Sequence, residues 1–219
     1  MPKSSNRRQH PEEPRSVATR ASILAAAERA FAESGLAGAR TEAIAAAAGV
    51  NKALLYYYFK SKEALYEAVL KDHLREFNRR ALEVLSGSGP ARDVLLRYVG
   101  LHFDFISARH RYAPLVQQLL SSGGRLPERL VRKYFKARSE AFIELLDRGM
   151  RAGEFRPADR WHTAVSIVAL IVFYFSCAPV LELLGQADAY STANLRRRKQ
   201  EVLDFIRYSL FVEPKTTTS

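Results

Sequence analysis

The chain has 219 residues, 47% of them hydrophobic, enough for one large domain or for a small module fused to a larger one. A formal net charge of +11 calls for a polyanionic partner, nucleic acid or an anionic membrane surface. Cys177 is the only cysteine, which excludes an intramolecular disulfide and a cysteine-only metal centre and fits a reducing cytoplasm. The cations are spread over Lys52, Lys60 and Lys62, then Arg129 to Arg138, then Arg196 to Lys199. A solvated surface shows the same spread, so charge alone does not choose a function.

In chain order, Met1 to Arg15 is polar, basic and broken by Pro2, Pro11 and Pro14, and reads as a flexible arm with no apolar signal segment. Ile23, Ala26, Ala27, Ala30 and Phe31 form a helical stripe, and Gly35 stands where a C-terminal cap belongs. Leu65, Val69, Leu74, Phe77 and Ala81 form another, ending before a Ser86–Pro90 turn. Further helices are expected over Ala91–His110, Tyr112–Ser121, Pro127–Arg151, Asp159–Leu184 and Thr192–Phe211. Gly123–Gly124, Gly153 with Pro157, and Gly185 punctuate them. Period-two alternation and Asn-Gly or Asp-Gly hairpin turns are missing, so the chain reads as all-α.

The stretch from Thr41 to Leu65, TEAIAAAAGVNKALLYYYFKSKEAL, carries the most information. Thr41 can cap a short helix that buries Ile44, Ala45 and Ala48, and Gly49 sits where the chain must turn sharply. Asn51 is a good N-cap for a second helix, Lys52 to Tyr58, with Leu55 and Phe59 turned inward; Ser61 caps a third. Two short helices around a glycine turn are what a major-groove reader requires. The second would present Lys52, Ala53, Leu54, Tyr56 and Tyr57 outward: a cation for phosphate or guanine, apolar groups for thymine methyls, and phenols for phosphate oxygens. Lys62, in the next helix's first turn, can pair with phosphate. Any one tyrosine can be ordinary packing. Tyr56, Tyr57 and Tyr58 project about 100° apart, however, so they cannot all be core.

These residues resemble the TetR family of bacterial transcriptional regulators. The likeness runs from about Thr19 to Leu70, through Ile23-Leu24, Ala27 to Gly35, Thr41, Ile44-Ala45, Ala48-Gly49-Val50, Leu55 to Phe59 and Ser61 to Leu65. It implies an all-α homodimer with an N-terminal three-helix DNA-binding domain and a larger C-terminal helical domain that binds an effector and dimerises. Residues 1–16 would be an arm, 17–62 the helix-turn-helix domain, 63–212 the effector-binding and dimerisation domain, and 213–219 a flexible tail. By position Thr41, Tyr56 and Lys62 would contact phosphate, and Asn51, Lys52, Ala53 and Leu54 would face the groove. Leu54 stands where the family often has threonine, which favours a thymine-methyl contact there.

Ala164 to Leu181 holds no charge and is just long enough to raise the question of a membrane span. Ser166, Ser176 and Pro179 interrupt it, and burial between two subunits accounts for it better. The dimer interface expected is Val165, Val168, Val172, Val202, Phe205, Ile206 and Leu210, two helices from each subunit making a four-helix bundle. Pro179 is expected to kink its helix or to end the regular hydrogen bonding one turn earlier. Tyr98, His102, Phe105, Tyr112, Gln118, Tyr134, Arg138, Phe142, Tyr174 and Cys177 are candidates to line a pocket for a small apolar or aromatic effector, although each alone also reads as core. Arg138 stands out among them, since a buried arginine selects an anion, while on a mixed-charge helix it would be a surface cation.

The reading is therefore a cytoplasmic, ligand-responsive regulator, most simply a repressor, that binds an inverted-repeat operator in double-stranded DNA without cofactor, metal or membrane. A non-specific DNA-coating protein would explain the charge but not the discrete turn and its outward set. Catalysis is disfavoured: His10, His73, His102, His110 and His162 lack metal-ligand spacing, and HExxH, a glycine-rich phosphate loop and Gly-x-Ser-x-Gly are all missing.

Overall fold

A computed structural model describes residues 14–109, 111–121, 132–185 and 188–213. The expected arm up to residue 13 and the tail from 214, the side chain of Gln118, and the start of the helix expected from Pro127 lie outside the described residues. Among the described residues there are nine α-helices: α1 Pro14–Gly38, α2 Thr41–Ala47, α3 Lys52–Phe59, α4 Lys62–Leu85, α5 Ala91–Ser107, α6 Tyr112–Ser121, α7 Lys136–Arg151, α8 Arg160–Leu183 and α9 Thr192–Leu210. The all-α expectation holds. Extended pairing among them is confined to one antiparallel bridge, Phe155 to Phe211. The chain divides into two compact units between Val69 and Leu70, inside α4.

In the first unit the core is built from the stripes legible in the sequence. Ile23, Ala26, Ala27 and Phe31 of α1 are buried, with Ile44 and Ala45 of α2, Leu55 and Phe59 of α3, and Leu65 and Val69 of α4. Burying Leu55 and Phe59 contributes about 1.5–3 kcal/mol each, which holds the two-turn α3 in place where intrinsic propensity could not. Gly35, at φ 68°, breaks the helical path near the end of α1. Between α2 and α3, Gly49 adopts φ 70°. Its N–H donates to Ala46 O at 3.1 Å and that of Val50 to Ala45 O at 3.0 Å, the paired closure of a helix ending on a left-handed residue. The Ser22 hydroxyl donates to Ala48 O at 3.0 Å and fastens this turn to α1.

Two of the three expected N-caps form. Asn51 Oδ1 accepts from Leu54 N at 2.8 Å, and Ser61 Oγ accepts from Ala64 N at 3.0 Å. Thr41 does not cap. Arg40 is the residue preceding α2, and Thr41 is its first helical residue, buried, with its hydroxyl turned toward Tyr56 and Glu42.

In the second unit α5 is central: ten of its 17 residues are buried, and it packs against α7, α8 and α9. It ends at Ser107, short of the expected His110. Pro90 precedes it and offers no side-chain cap. Glu154 does so from the α7–α8 connection, accepting from Ala91 N at 3.0 Å and Arg92 N at 2.9 Å. Beside it Phe155 is buried and stacks on Phe211 at 5.4 Å. Gly149 makes room for that ring, because a Cβ there would lie 2.1 Å from Phe155 Cδ2.

Pro179 does not end its helix, and α8 continues to Leu183, but the regular hydrogen bonding is broken one turn earlier, as expected. A proline removes the donor to the carbonyl four residues earlier. That carbonyl belongs to Phe175, and the Tyr190 hydroxyl donates to it at 3.3 Å. The lost bond is replaced from outside the helix.

Candidate functional site

The outward face of α3 follows from its inward one. With Leu55 and Phe59 anchored in the core, helical geometry turns Lys52, Ala53, Leu54 and Tyr57 to solvent, and Tyr57 is 76% exposed. The three tyrosines separate as their angular spacing demands. Tyr57 is free of the core, the Tyr58 hydroxyl reaches Ser16 Oγ at 3.2 Å, and the Tyr56 and Thr41 hydroxyls lie 3.3 Å apart. Thr41, Asn51, Lys52, Ala53, Leu54, Tyr56 and Tyr57 thus all fall on α2, α3 or the junction between them. Asn51 is exposed, but its side-chain oxygen is occupied as the α3 cap.

Two lysines are engaged within the protein. Lys52 Nζ pairs with the Glu42 carboxylate in the first turn of α2. The hydrogen bond, then the attraction between the charges, raises the lysine pKa, and the same bond with Lys52 lowers that of Glu42. Glu42 was not among the expected site residues; an acid in the first helical turn, ten residues before Lys52, was the available signal. Lys62 Nζ donates to Ala39 O at 3.2 Å and Ala37 O at 3.3 Å, so it closes the carbonyl end of α1. The expected phosphate partner must therefore compete with those carbonyls.

In the second unit most of the expected pocket residues come together around Phe77 and Asn78 of α4. The Phe77 ring lies 4.5 Å from that of His102 and 4.9 Å from that of Phe105. The Tyr98 ring lies tilted against that of Phe142 at 4.6 Å and sits 5.9 Å from His102, while Tyr112 meets Phe105 edge-on at 5.3 Å. The Arg138 guanidinium lies over Phe77 at 4.8 Å, and its Nη1 donates to Asn78 Oδ1 at 2.7 Å. The Asn78 amide in turn donates to the Tyr134 carbonyl. Burial first, then the Arg138 charge, pushes the His102 pKa down to about 3, so the imidazole is neutral. Burial raises the phenols of Tyr98 and of Tyr112, the latter to about 12.

His102 Nδ1 in this cluster and the hydroxyl oxygen of Tyr134, whose carbonyl Asn78 holds, are buried without a hydrogen-bond partner among the described residues. Such an atom costs about 1–3 kcal/mol. Tyr174 and Cys177 make their contacts elsewhere: the Tyr174 hydroxyl donates to Ala189 O at 2.8 Å, and Cys177 Sγ donates to Tyr174 O. The cluster also includes Phe77 and Asn78, which were not among its candidates. Phe77 was legible only as a core position, and Asn78, its neighbour on the helix, gave no signal.

Helices α8 and α9 leave an apolar face uncovered. Phe173 is 68% exposed, Phe205 58% and Tyr208 77%, with Trp161, Val165, Val180 and Leu183 also exposed. Of the residues expected at an interface, Val165 and Phe205 are on this face, and Val168 and Val172 are half-buried at its edge. Val202, Ile206 and Leu210 are not; they are buried within the chain's own core. The periodicity of α9 marks the side that packs on α5 and α8, and the free side is the adjoining one, with Phe205 and Tyr208. A cavity of about 320 Å³ opens between the two helices, lined by Asp159, His162, Ser166, Leu170 and Phe205 among others. By length and composition α8 is apolar enough to cross a membrane, the one such helix among the described residues. No group of three or more His, Cys, Asp or Glu among them is placed to hold a metal ion.

This arrangement recurs in known proteins. Residues 23–69 match the profile of bacterial regulatory proteins of the tetR family, and residues 90–206 match that of the tetracyclin repressor-like C-terminal domain. The HTH-type transcriptional regulator RutR of Escherichia coli K12 is 30% identical over 179 residues, covering 82% of this chain and 81% of its own. The HTH-type transcriptional repressor KstR2 of Mycolicibacterium smegmatis is 30% identical over 149 residues, 67% of this chain and 73% of its own. The solved structure of the ketosteroid transcriptional regulator KstR2 of Mycobacterium tuberculosis superposes with a TM-score of 0.73 at 21% identity, over 89% of this chain and 95% of that one. With both profiles matched in order along one all-α chain, the protein belongs to the TetR family of bacterial transcriptional regulators.

Proposed function

We propose that the protein is a cytoplasmic homodimer that binds an inverted-repeat operator through α3 and represses transcription until a small effector releases it. The observation that carries this reading is the outward face of α3, where Lys52, Ala53, Leu54 and Tyr57 stand exposed on a helix fixed by two buried anchors and a side-chain cap. Lysine reaches phosphate or a guanine edge, alanine and leucine suit thymine methyls, and tyrosine hydroxyls hold register on the backbone. Asn51, Tyr56 and Lys62 complete the surface, Thr41 is buried behind it with its hydroxyl beside that of Tyr56, and Lys52 exchanges Glu42 for DNA on binding.

Dimerisation is supported by the exposed apolar side chains of α8 and α9, an area that water covers poorly and a second copy covers well. A membrane is the weaker partner, because α9 runs beside α8 and carries Arg196, Arg197, Lys199 and Arg207. An effector lodged among the aromatic side chains near Phe77 acts by binding one dimer form better than the other. Selection of binding sites from a random DNA pool tests the reading. The expected product is an inverted repeat whose half-sites lie about one helical turn, or a multiple of it, apart. A pool with no consensus, bound at every sequence with steep salt dependence, would mark a DNA-coating protein instead.

A further inference from the structure

The reading of the second unit as an effector domain leaves the chemistry of the effector open, and the polar groups of the aromatic cluster narrow it. Arg138 is half-buried, held over Phe77 and Phe135 and bonded through Nη1 to the neutral Asn78. No carboxylate pairs with it among the described residues, whereas Arg109 nearby is neutralised by Glu76 at 2.7 Å. His102 and Tyr134 are 5% and 3% exposed, and each has a buried polar atom without a partner. A cation without a counter-ion and a neutral imidazole therefore both lie against the Phe77 ring, and Tyr134, whose carbonyl is bonded to Asn78 beside it, adds a buried hydroxyl. Their preferred complement is an anion with an apolar body: the charge meets the guanidinium, where hydrogen bonds are shortest and strongest, and the rings take the body.

We propose that the effector is an organic acid, a carboxylate on an apolar or aromatic body, whose charge is received by Arg138 and whose remaining oxygen atoms or polar substituents bond the Tyr134 hydroxyl and His102 Nδ1. The proposal rests on the ligand-responsive reading above and adds the sign of the ligand's charge. The phenols of Tyr98 and Tyr112 stay protonated and so do not repel such a group.

The test is calorimetric titration of the full chain with 2-naphthoate and with decanoate, each against its own primary amide, for the natural protein and for Arg138→Met and Tyr134→Phe. At least one acid should bind about tenfold or more tightly than its amide, and Arg138→Met should remove that difference. Circular dichroism of each variant reports folding, and Tyr134→Phe, which keeps the ring, should weaken the acid about threefold or more even if Arg138→Met does not fold. Equal affinity for acid and amide, an unchanged preference in Arg138→Met, or no binding of either acid at millimolar concentration overturns the proposal. Operator release is measured separately. An acid that binds through Arg138 without releasing DNA supports the anion site and contradicts the switch, whereas release by neutral compounds alone does the reverse.

Discussion

Removing the Glu154 carboxylate should destabilise the second unit by an amount the geometry fixes. Its two oxygens accept from the first two backbone N–H groups of α5, and Arg92 Nε lies 3.5 Å from one of them. Pro90 offers those donors nothing, so Glu154→Ala leaves them without a protein partner. Loss of a capping side chain costs about 0.5–2 kcal/mol, and loss of a negative charge at a helix N-terminus a further 0.3–1 kcal/mol or so. Together these predict about 2 kcal/mol, and a fall in Tm of roughly 4–8 °C for a unit of this size.

The effect has a pH signature. Burial tends to raise the Glu154 pKa, but the backbone donors of Arg92 and Ala91 and the Arg92 charge outweigh it, and the net shift is downward. A lowered carboxylate pKa contributes stability that is complete above the unfolded-state value and disappears as pH falls through the folded-state value. Urea unfolding of the natural protein and of Glu154→Ala, from neutral pH down through the carboxylate range, should therefore show a gap that closes on acidification. A gap of a few tenths of a kcal/mol at neutral pH, or one that widens in acid, would refute the assignment of Glu154 as the cap of α5.

Other consequences are as direct. Gly149→Ala drives a methyl into the Phe155 ring, which is held by Phe211, and should cost about 1–3 kcal/mol in urea unfolding. Tyr57→Ala removes an exposed ring and should leave Tm unchanged while weakening operator binding in a fluorescence-anisotropy titration. Lys52→Ala, if the lysine reaches phosphate, should lower the slope of log affinity against log salt by about 0.9. Phe205→Glu places a charge on the exposed apolar face without touching the core and should give monomers in sedimentation equilibrium; an unchanged dimer would contradict that face.

The parts of this structure legible in the sequence are those fixed by neighbours along the chain. Asn51 and Ser61 announce their caps three residues ahead, Gly49 its turn, and Leu55 with Phe59 the buried side of α3. What escaped depends on contacts between distant residues. The α5 cap comes from a glutamate 63 positions away from Ala91, and the carbonyl freed by Pro179 finds a tyrosine that no helical rule would connect to it. Periodicity located a buried side of α9 but could not tell burial within the chain from burial against another, which is why Val202, Ile206 and Leu210 were expected at an interface. The position of Lys62 in the first turn of α4 follows from Ser61 before it, while its direction toward the end of α1 depends on a neighbour 23 residues away.

The measurement that bears most directly on the central claim is the ratio of affinities for the selected site and for a shuffled sequence of the same composition, taken with one preparation at one salt concentration. Sequence-specific recognition through α3 predicts a ratio of about 10³ or more at physiological salt, lost in large part when the groove-facing residues are replaced. A ratio near one, with both sequences equally sensitive to salt, would contradict the account.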